Sequence, residues 1–310
     1  MKRTHLFLFS CPLCLILLFF SLSIAKDSST KAPEEKRELI GAATCKDCHE
    51  KQYASYAKSV HSKKSVKGPA LLDACETCHG SGTLHVEKGG GRGVNIFAFN
   101  KNVDPKARSA KCLVCHEETR QLTNWKMSKH NDEDVACDSC HSPHNQREKF
   151  LKEDQAALCF ECHKDIRSES GRQSHHPIKE GLIKCSSCHD PHGTFGDKQI
   201  KADTVNELCY KCHAEKRGPF MFEHPPVEEN CLNCHTPHGS NHSKLLISRA
   251  PQLCQSCHDA TRHPGTPYTS ATTFSGSAPS NKMYARSCMN CHSNVHGSNA
   301  SSAFGQAFTR

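Results

Sequence analysis

The sequence predicts an elongated chain of short α-helices and irregular backbone with little or no β-sheet, and three observations predict it. One pattern, C-x-x-C-H, occurs ten times, starting at Cys45, Cys75, Cys112, Cys137, Cys159, Cys185, Cys209, Cys231, Cys254 and Cys288. Only 36% of the 310 residues are hydrophobic and 6% aromatic, with one Trp, a poor supply for a conventional core of this size. Proline recurs beside the motifs, at Pro143, Pro177, Pro191, Pro225 and Pro237, where it limits helix length.

C-x-x-C-H is the attachment signal for c-type haem. The two thiols add to the porphyrin vinyl groups, and the histidine that follows ligates the iron. A single C-x-x-C reads equally well as half a zinc site or a redox disulfide. Neither explains a histidine after every copy: with 23 His in 310 residues, ten such successes by chance have a probability of roughly 10⁻¹¹, and haem attachment is the economical reading. The expected cofactors are therefore ten covalently bound haem c groups. They attach at Cys45/Cys48, Cys75/Cys78, Cys112/Cys115, Cys137/Cys140, Cys159/Cys162, Cys185/Cys188, Cys209/Cys212, Cys231/Cys234, Cys254/Cys257 and Cys288/Cys291. The proximal ligands are His49, His79, His116, His141, His163, His189, His213, His235, His258 and His292. Macrocycles of this number supply the missing apolar surface. The fold class is thus a multihaem cytochrome c with a haem-filled core, a chain that does not fold without its cofactors.

Residues 1–25 read as a cleaved secretory signal peptide: Lys2 and Arg3, an apolar run from Leu6 to Phe20, then Ser23-Ile24-Ala25. The competing reading, a retained anchor, has an apolar run only just long enough to span a bilayer. Cys11 and Cys14 lie in this segment, which leaves 20 cysteines, all within motifs, and no disulfide framework. Export of a c-type cytochrome points to a bacterial periplasm. Residues 26–41 are a polar, flexible lead-in. The decahaem domain, 42–310, divides into five two-haem modules at about 42–110, 111–157, 158–207, 208–252 and 253–310, with spacings in the range of small repeat units. Module one contains GGGRG at 89–93, read as a loop, and module five a polar loop at 265–281.

Twelve histidines remain beyond His5 and the proximal ten: His61, His85, His130, His144, His175, His176, His192, His224, His238, His242, His263 and His296. His130 and His224 each stand seven residues before a motif, and His176 nine before the next, which favours His176 over His175. The repeats CDSCHSPH, CSSCHDPHG and CLNCHTPHG align His144, His192 and His238, which favours His238 over His242. One distal ligand per haem follows: His61, His85, His130, His144, His176, His192, His224, His238, His263 and His296. Methionine, the competing sixth ligand, recurs at no module position. His144 lies three residues after His141, a reach of at most about 10 Å. That is too short to pass around a macrocycle, so His144, His192 and His238 must serve a haem other than that of their own motif.

Ten saturated irons form an electron wire rather than a catalyst, and C-x-x-C-K, the variant associated with the active haem of multihaem nitrite reductases, does not occur. The net charge of +8 does not indicate nucleic acid, because two propionates per haem add roughly −20. Lys and Arg are better employed neutralising them.

The ten motifs, the blocks HHPIKEG…CSSCHDPHG and EHPPVEENCLNCHTPHGS, and the closing CMNCHSNVHGSN resemble the DmsE/MtrA/PioA family of decahaem cytochromes. The similarity covers nearly the whole mature chain and is strongest from His130 onward; around Cys45 and Cys75 the match is looser. The resemblance implies an elongated, haem-lined protein seated in an outer-membrane β-barrel porin-like partner, conducting electrons between periplasm and cell exterior. It further implies an outer-surface multihaem cytochrome or terminal reductase on one side and a periplasmic or inner-membrane donor cytochrome on the other. A soluble periplasmic carrier suits the exterior equally well, since the chain has no lipid-facing apolar run; a multihaem reductase is the third class. The count itself is measurable: a pyridine haemochrome assay should give ten haems per chain, and nine after Cys185→Ala/Cys188→Ala.

Overall fold

A C-x-x-C-H pentapeptide is the length of one helical turn plus one residue, so a helical backbone puts both cysteines and the histidine on one face. The computed structural model, which describes residues 38–258 and 288–309, builds each motif this way. The histidine N–H donates to the carbonyl of the first cysteine in the turns starting at Cys45, Cys137, Cys159, Cys185, Cys209, Cys231, Cys254 and Cys288, at 2.9–3.0 Å. The described residues belong to one unit, Glu38–Arg310. Residues 1–25, most of the lead-in, His263 and the loop at 265–281 lie outside the described residues.

The two motifs of each pair use that turn differently. In the first, the motif cysteine lies near the end of a helix: Gly41–Lys46, Pro105–His116, Gln155–Phe160, Val205–Tyr210 and Gln252–Gln255. In the second, the cysteine starts one: Cys75–His79, Cys137–Cys140, Cys185–Cys188, and the 3₁₀ turns Cys231–Asn233 and Cys288–Asn290. Starting residues are supplied locally. Asp104 accepts from the N–H of Ala107 at 2.7 Å ahead of Pro105, and Thr204 accepts from Glu207 at 3.1 Å, both favoured N-terminal caps. Pro225 opens the helix Pro225–Glu229 rather than stopping one, because its missing N–H is not needed at the first helical position.

Among the described residues there are no strands, only isolated antiparallel bridges. His141–Leu151, His189–Ile200 and His235–Leu246 close loops after the second motifs; Ser174–Ser240 and Phe222–Ser298 join successive motif pairs. No helix among them is long and apolar enough to cross a membrane. The fold is thus mostly irregular with short helices. Its buried hydrophobic side chains among the described residues are Trp125, Ala136 and Ile178, far fewer than a self-sufficient core requires.

Polar side chains fasten the two helices of each pair instead. Glu76 accepts from the N–H groups of Ile40, Gly41 and Gly82, and Gln155 accepts from Ser186. Asn206 both accepts from Cys231 and donates to the carbonyls of Val227 and Glu228. In the second pair Arg108, 8% exposed, grips both carboxylate oxygens of Asp138 at 2.8 Å and donates to Val103. Glycine makes the joints between pairs: a Cβ at Gly239 would stand 1.9 Å from the Glu169 carbonyl oxygen, and one at Gly193 2.5 Å from that of Asn124. Both glycines follow a candidate distal histidine, which accounts for the repeated P-H-G. Removing one member of a buried pair strands the other, so Arg108→Met should lower local stability by about 3 kcal/mol, read as faster hydrogen exchange at the Cys137–His141 amides.

Candidate haem sites

The helical turns of nine motifs aim their histidines at a second imidazole drawn from elsewhere in the chain. Nine such pairs occur among the described residues, with ring centres 6.0–6.4 Å apart: His49–His85, His61–His116, His79–His144, His130–His163, His141–His192, His176–His213, His189–His238, His224–His258 and His235–His296. Each pair joins one proximal histidine to one distal candidate, and none is used twice. His292 and His263 are the remaining two; His263 lies outside the described residues. An imidazole nitrogen bonds a metal at about 2.0–2.1 Å, so two rings on opposite sides of one ion place their centres roughly 6 Å apart. The spacing therefore fits a single iron between each pair.

The pairing follows a rule. The distal histidine just after a second motif faces the second motif of the previous pair: His144 faces His79, His192 faces His141, His238 faces His189 and His296 faces His235. The histidine between the two motifs of a pair faces the first motif of the next: His61 faces His116, His130 faces His163, His176 faces His213 and His224 faces His258. Only His49–His85, among the described pairs, closes within its own module. His175 instead bonds the Arg172 carbonyl at 2.6 Å and Glu180 at 3.2 Å, and His242 enters none of these ring pairs.

Backbone carbonyls fix the imidazoles. The Nδ1–H of His79 donates to Phe97, of His141 to Lys149, of His189 to Lys198, of His235 to Lys244 and of His292 to Ala307, at 2.6–2.9 Å. On the distal side His85 donates to Val94, His130 to Pro191, His176 to Pro237 and His224 to Val295. This bond selects the tautomer that leaves Nε2 as the metal-facing atom. Burial pushes the pKa of His61, His144, His192, His224 and His238 below the ordinary value, and that of His296 down to about 4, favouring the neutral, ligating form.

Three of these carbonyls come from one device that sequence reasoning missed. Lys149-Phe150, Lys198-Gln199 and Lys244-Leu245 are consecutive residues with φ between 53° and 60°. In each, the lysine carbonyl takes the proximal Nδ1–H, and the next carbonyl takes the N–H of Ser142, Asp190 or Thr236. The signal was present as E-K-F-L, D-K-Q-I and S-K-L-L, each eight or nine residues after the motif histidine. The GGGRG segment likewise forms a turn that delivers the Val94 carbonyl to His85.

The cysteines show the order of the sites. No motif cysteine is in a disulfide. First cysteines stand near each other within a pair: Cys45 with Cys75, Cys112 with Cys137, Cys159 with Cys185, Cys209 with Cys231 and Cys254 with Cys288. Second cysteines approach between pairs, near enough to interact electrostatically: Cys78 with Cys115, Cys140 with Cys162, Cys188 with Cys212 and Cys234 with Cys257. Motifs consecutive in the sequence thus lie next to each other from Cys45 to Cys288.

Among the motif cysteines, Cys48, Cys115, Cys162, Cys212, Cys257 and Cys291, each the second of its motif, are exposed.

Comparison with known proteins agrees with this chemistry. A doubled C-x-x-C-H motif family matches residues 129–168, 175–218 and 224–263, and the cytochrome c554 and c-prime family matches 44–71. Each doubled-motif match holds both members of one imidazole pair, 130/163, 176/213 and 224/258, one motif out of phase with pairs counted from Cys45. The chain is 39% identical over 264 residues to the multihaem cytochrome MtrA of Shewanella baltica, covering 84% of this chain and 79% of that protein. It is 29% identical over 164 residues to the cytochrome c-type protein NrfB of Escherichia coli, 49% of this chain and 83% of that one. The high-molecular-weight cytochrome c of Nitratidesulfovibrio vulgaris is 22% identical over 204 residues, 64% of this chain and 34% of its own length.

Proposed function

Because the chain belongs to the MtrA family of multihaem c-type cytochromes, a protein of electron transfer and not an enzyme, we propose that it is a decahaem conduit. In this reading it is exported to the periplasm by a cleaved leader and organised as five two-haem modules. It sits in an outer-membrane β-barrel partner, takes electrons from a periplasmic or inner-membrane cytochrome, and passes them to an outer-surface cytochrome or reductase. The observation that carries the proposal is the series of nine facing imidazole pairs that link motif to motif along the described chain.

The haem irons, bound, supply reversible one-electron chemistry. The polypeptide's part is placement. The paired cysteines tether each group, from Cys45/Cys48 to Cys288/Cys291. The facing histidines would hold the iron from both sides and leave no position for substrate, and the carbonyls behind Nδ1 would raise ligand basicity. Two histidines rather than a Met would keep the potentials low. Because ligands are exchanged between modules, the spacing from one site to the next is held by metal–ligand bonds as well as by backbone.

Two measurements test this. His192→Ala should convert one haem in ten from low-spin to high-spin, and mass mapping with a ligand that binds open haems should locate it at Cys137/Cys140, not at Cys185/Cys188; His175→Ala should leave the spectrum unchanged. Fractionation of the native host tests the setting. A haem-staining band that stays with the outer membrane through a high-salt wash and co-purifies with a β-barrel is the expected result. A wholly soluble band without such a partner would replace the conduit by a periplasmic carrier.

A further inference from the structure

The basic charge of the chain is unevenly distributed. Residues 42–110 carry eleven Lys and Arg against six Asp and Glu, whereas residues 111–207 carry fourteen against seventeen. Within the first of these, residues 51–72 hold Lys51, Lys58, Lys63, Lys64 and Lys67 and no acidic residue. All five lysines are exposed, and none makes an ion pair among the described residues.

The segment that carries them is fixed. The helix Glu50–Lys58 turns at Ser59, 2% exposed, into the 3₁₀ turn Val60–Ser62. Ser62 donates to the carbonyls of Ala57 and Ser59, and Tyr56 to that of His61. The same segment touches three candidate sites. His49 precedes its first turn and faces His85. The Gln52 carbonyl accepts from His144, which faces His79. His61, stacked on Phe150, faces His116.

We propose that this lysine surface is the docking site for an acidic electron-donor protein, which delivers electrons to the first three sites of the file. The proposal deepens the electron-carrier reading and rests on it. Fixed like charges on a surface steer an oppositely charged partner and raise its rate of encounter, an effect that salt suppresses. A donor seated here lies over ligands of three sites at once, so transfer does not depend on one approach to the first site alone. A partner brought in by charge also leaves readily once the electron has passed.

The test is stopped-flow reduction of the full-length holoprotein by reduced plant-type ferredoxin, an acidic one-electron donor, across a salt series. Lys63→Glu/Lys64→Glu is compared with Lys164→Glu/Lys179→Glu, which makes the same change of net charge elsewhere. The first variant should react about tenfold more slowly at low ionic strength and show a flatter salt dependence, with haem content, spectra and dithionite reduction unchanged. The second should stay close to wild type. Equal slowing of both variants, or an unaltered rate in the first, overturns the proposal. Loss of haem or shifted potentials in the first variant also overturns it, since the lysines would then be serving propionates. A protein that proves wholly soluble on fractionation while keeping the lysine effect sinks the conduit and leaves the docking surface standing.

Discussion

Two imidazoles facing each other across roughly 6 Å, drawn from different modules, are the constraint on which the rest of the structure depends. The polypeptide buries few apolar side chains of its own, and its helices are one to three turns long, below the length at which isolated helices persist. What joins one stretch to the next is the exchange: each of the three inner pairs of motifs receives one histidine from the pair before and one from the pair after. A repeat array whose units touch only their neighbours has stability made of unit and interface terms. Here the interface terms are facing imidazoles, so the connection between modules is as specific as their pairing.

That economy places demands on the backbone. Left-handed residues other than glycine are uncommon and cost free energy when they occur singly. Three consecutive lysine-led pairs adopt that conformation because two carbonyls must turn toward one imidazole and one peptide N–H. The glycines after His192 and His238 meet a different demand, the close passage of a neighbouring module's backbone. Arg108, Gln155, Asn206 and Glu76 do different chemistry at one architectural position, tying the helices of a motif pair where ordinary proteins would use apolar contact.

Much of this was legible because covalent spacing fixes it. One helical turn sets Cys, Cys and His on one face wherever the five residues occur, and the histidine surplus named the distal candidates. The short reach from His141 to His144 excluded pairing within a motif, and the facing of His144 with His79 is of that kind. Which ring His144 would face was not legible, because the answer depends on how the chain returns over the 65 positions that separate it from His79. The carbonyl acceptors were hidden for a simpler reason: every residue carries a carbonyl, and only its conformation distinguishes the one at Lys198. Proline at 225 was read as a stop and serves as a start, a distinction set by whether a helix lies behind it or ahead.

The direction of the ligand exchange has a consequence for biogenesis. On the export route proposed above, a chain threaded amino end first presents His61 well before His116, and His130 before His163, so first motifs find their partners already outside. Second motifs wait: His79 needs His144, His141 needs His192, and His235 needs His296. The advancing end of the folded array therefore always carries at least one imidazole without its mate, and each newly arrived segment satisfies a position left open while opening another. Assembly is a relay in which completion is deferred to the next stretch of chain, and a truncated product is marked by the unfilled coordination position at its end.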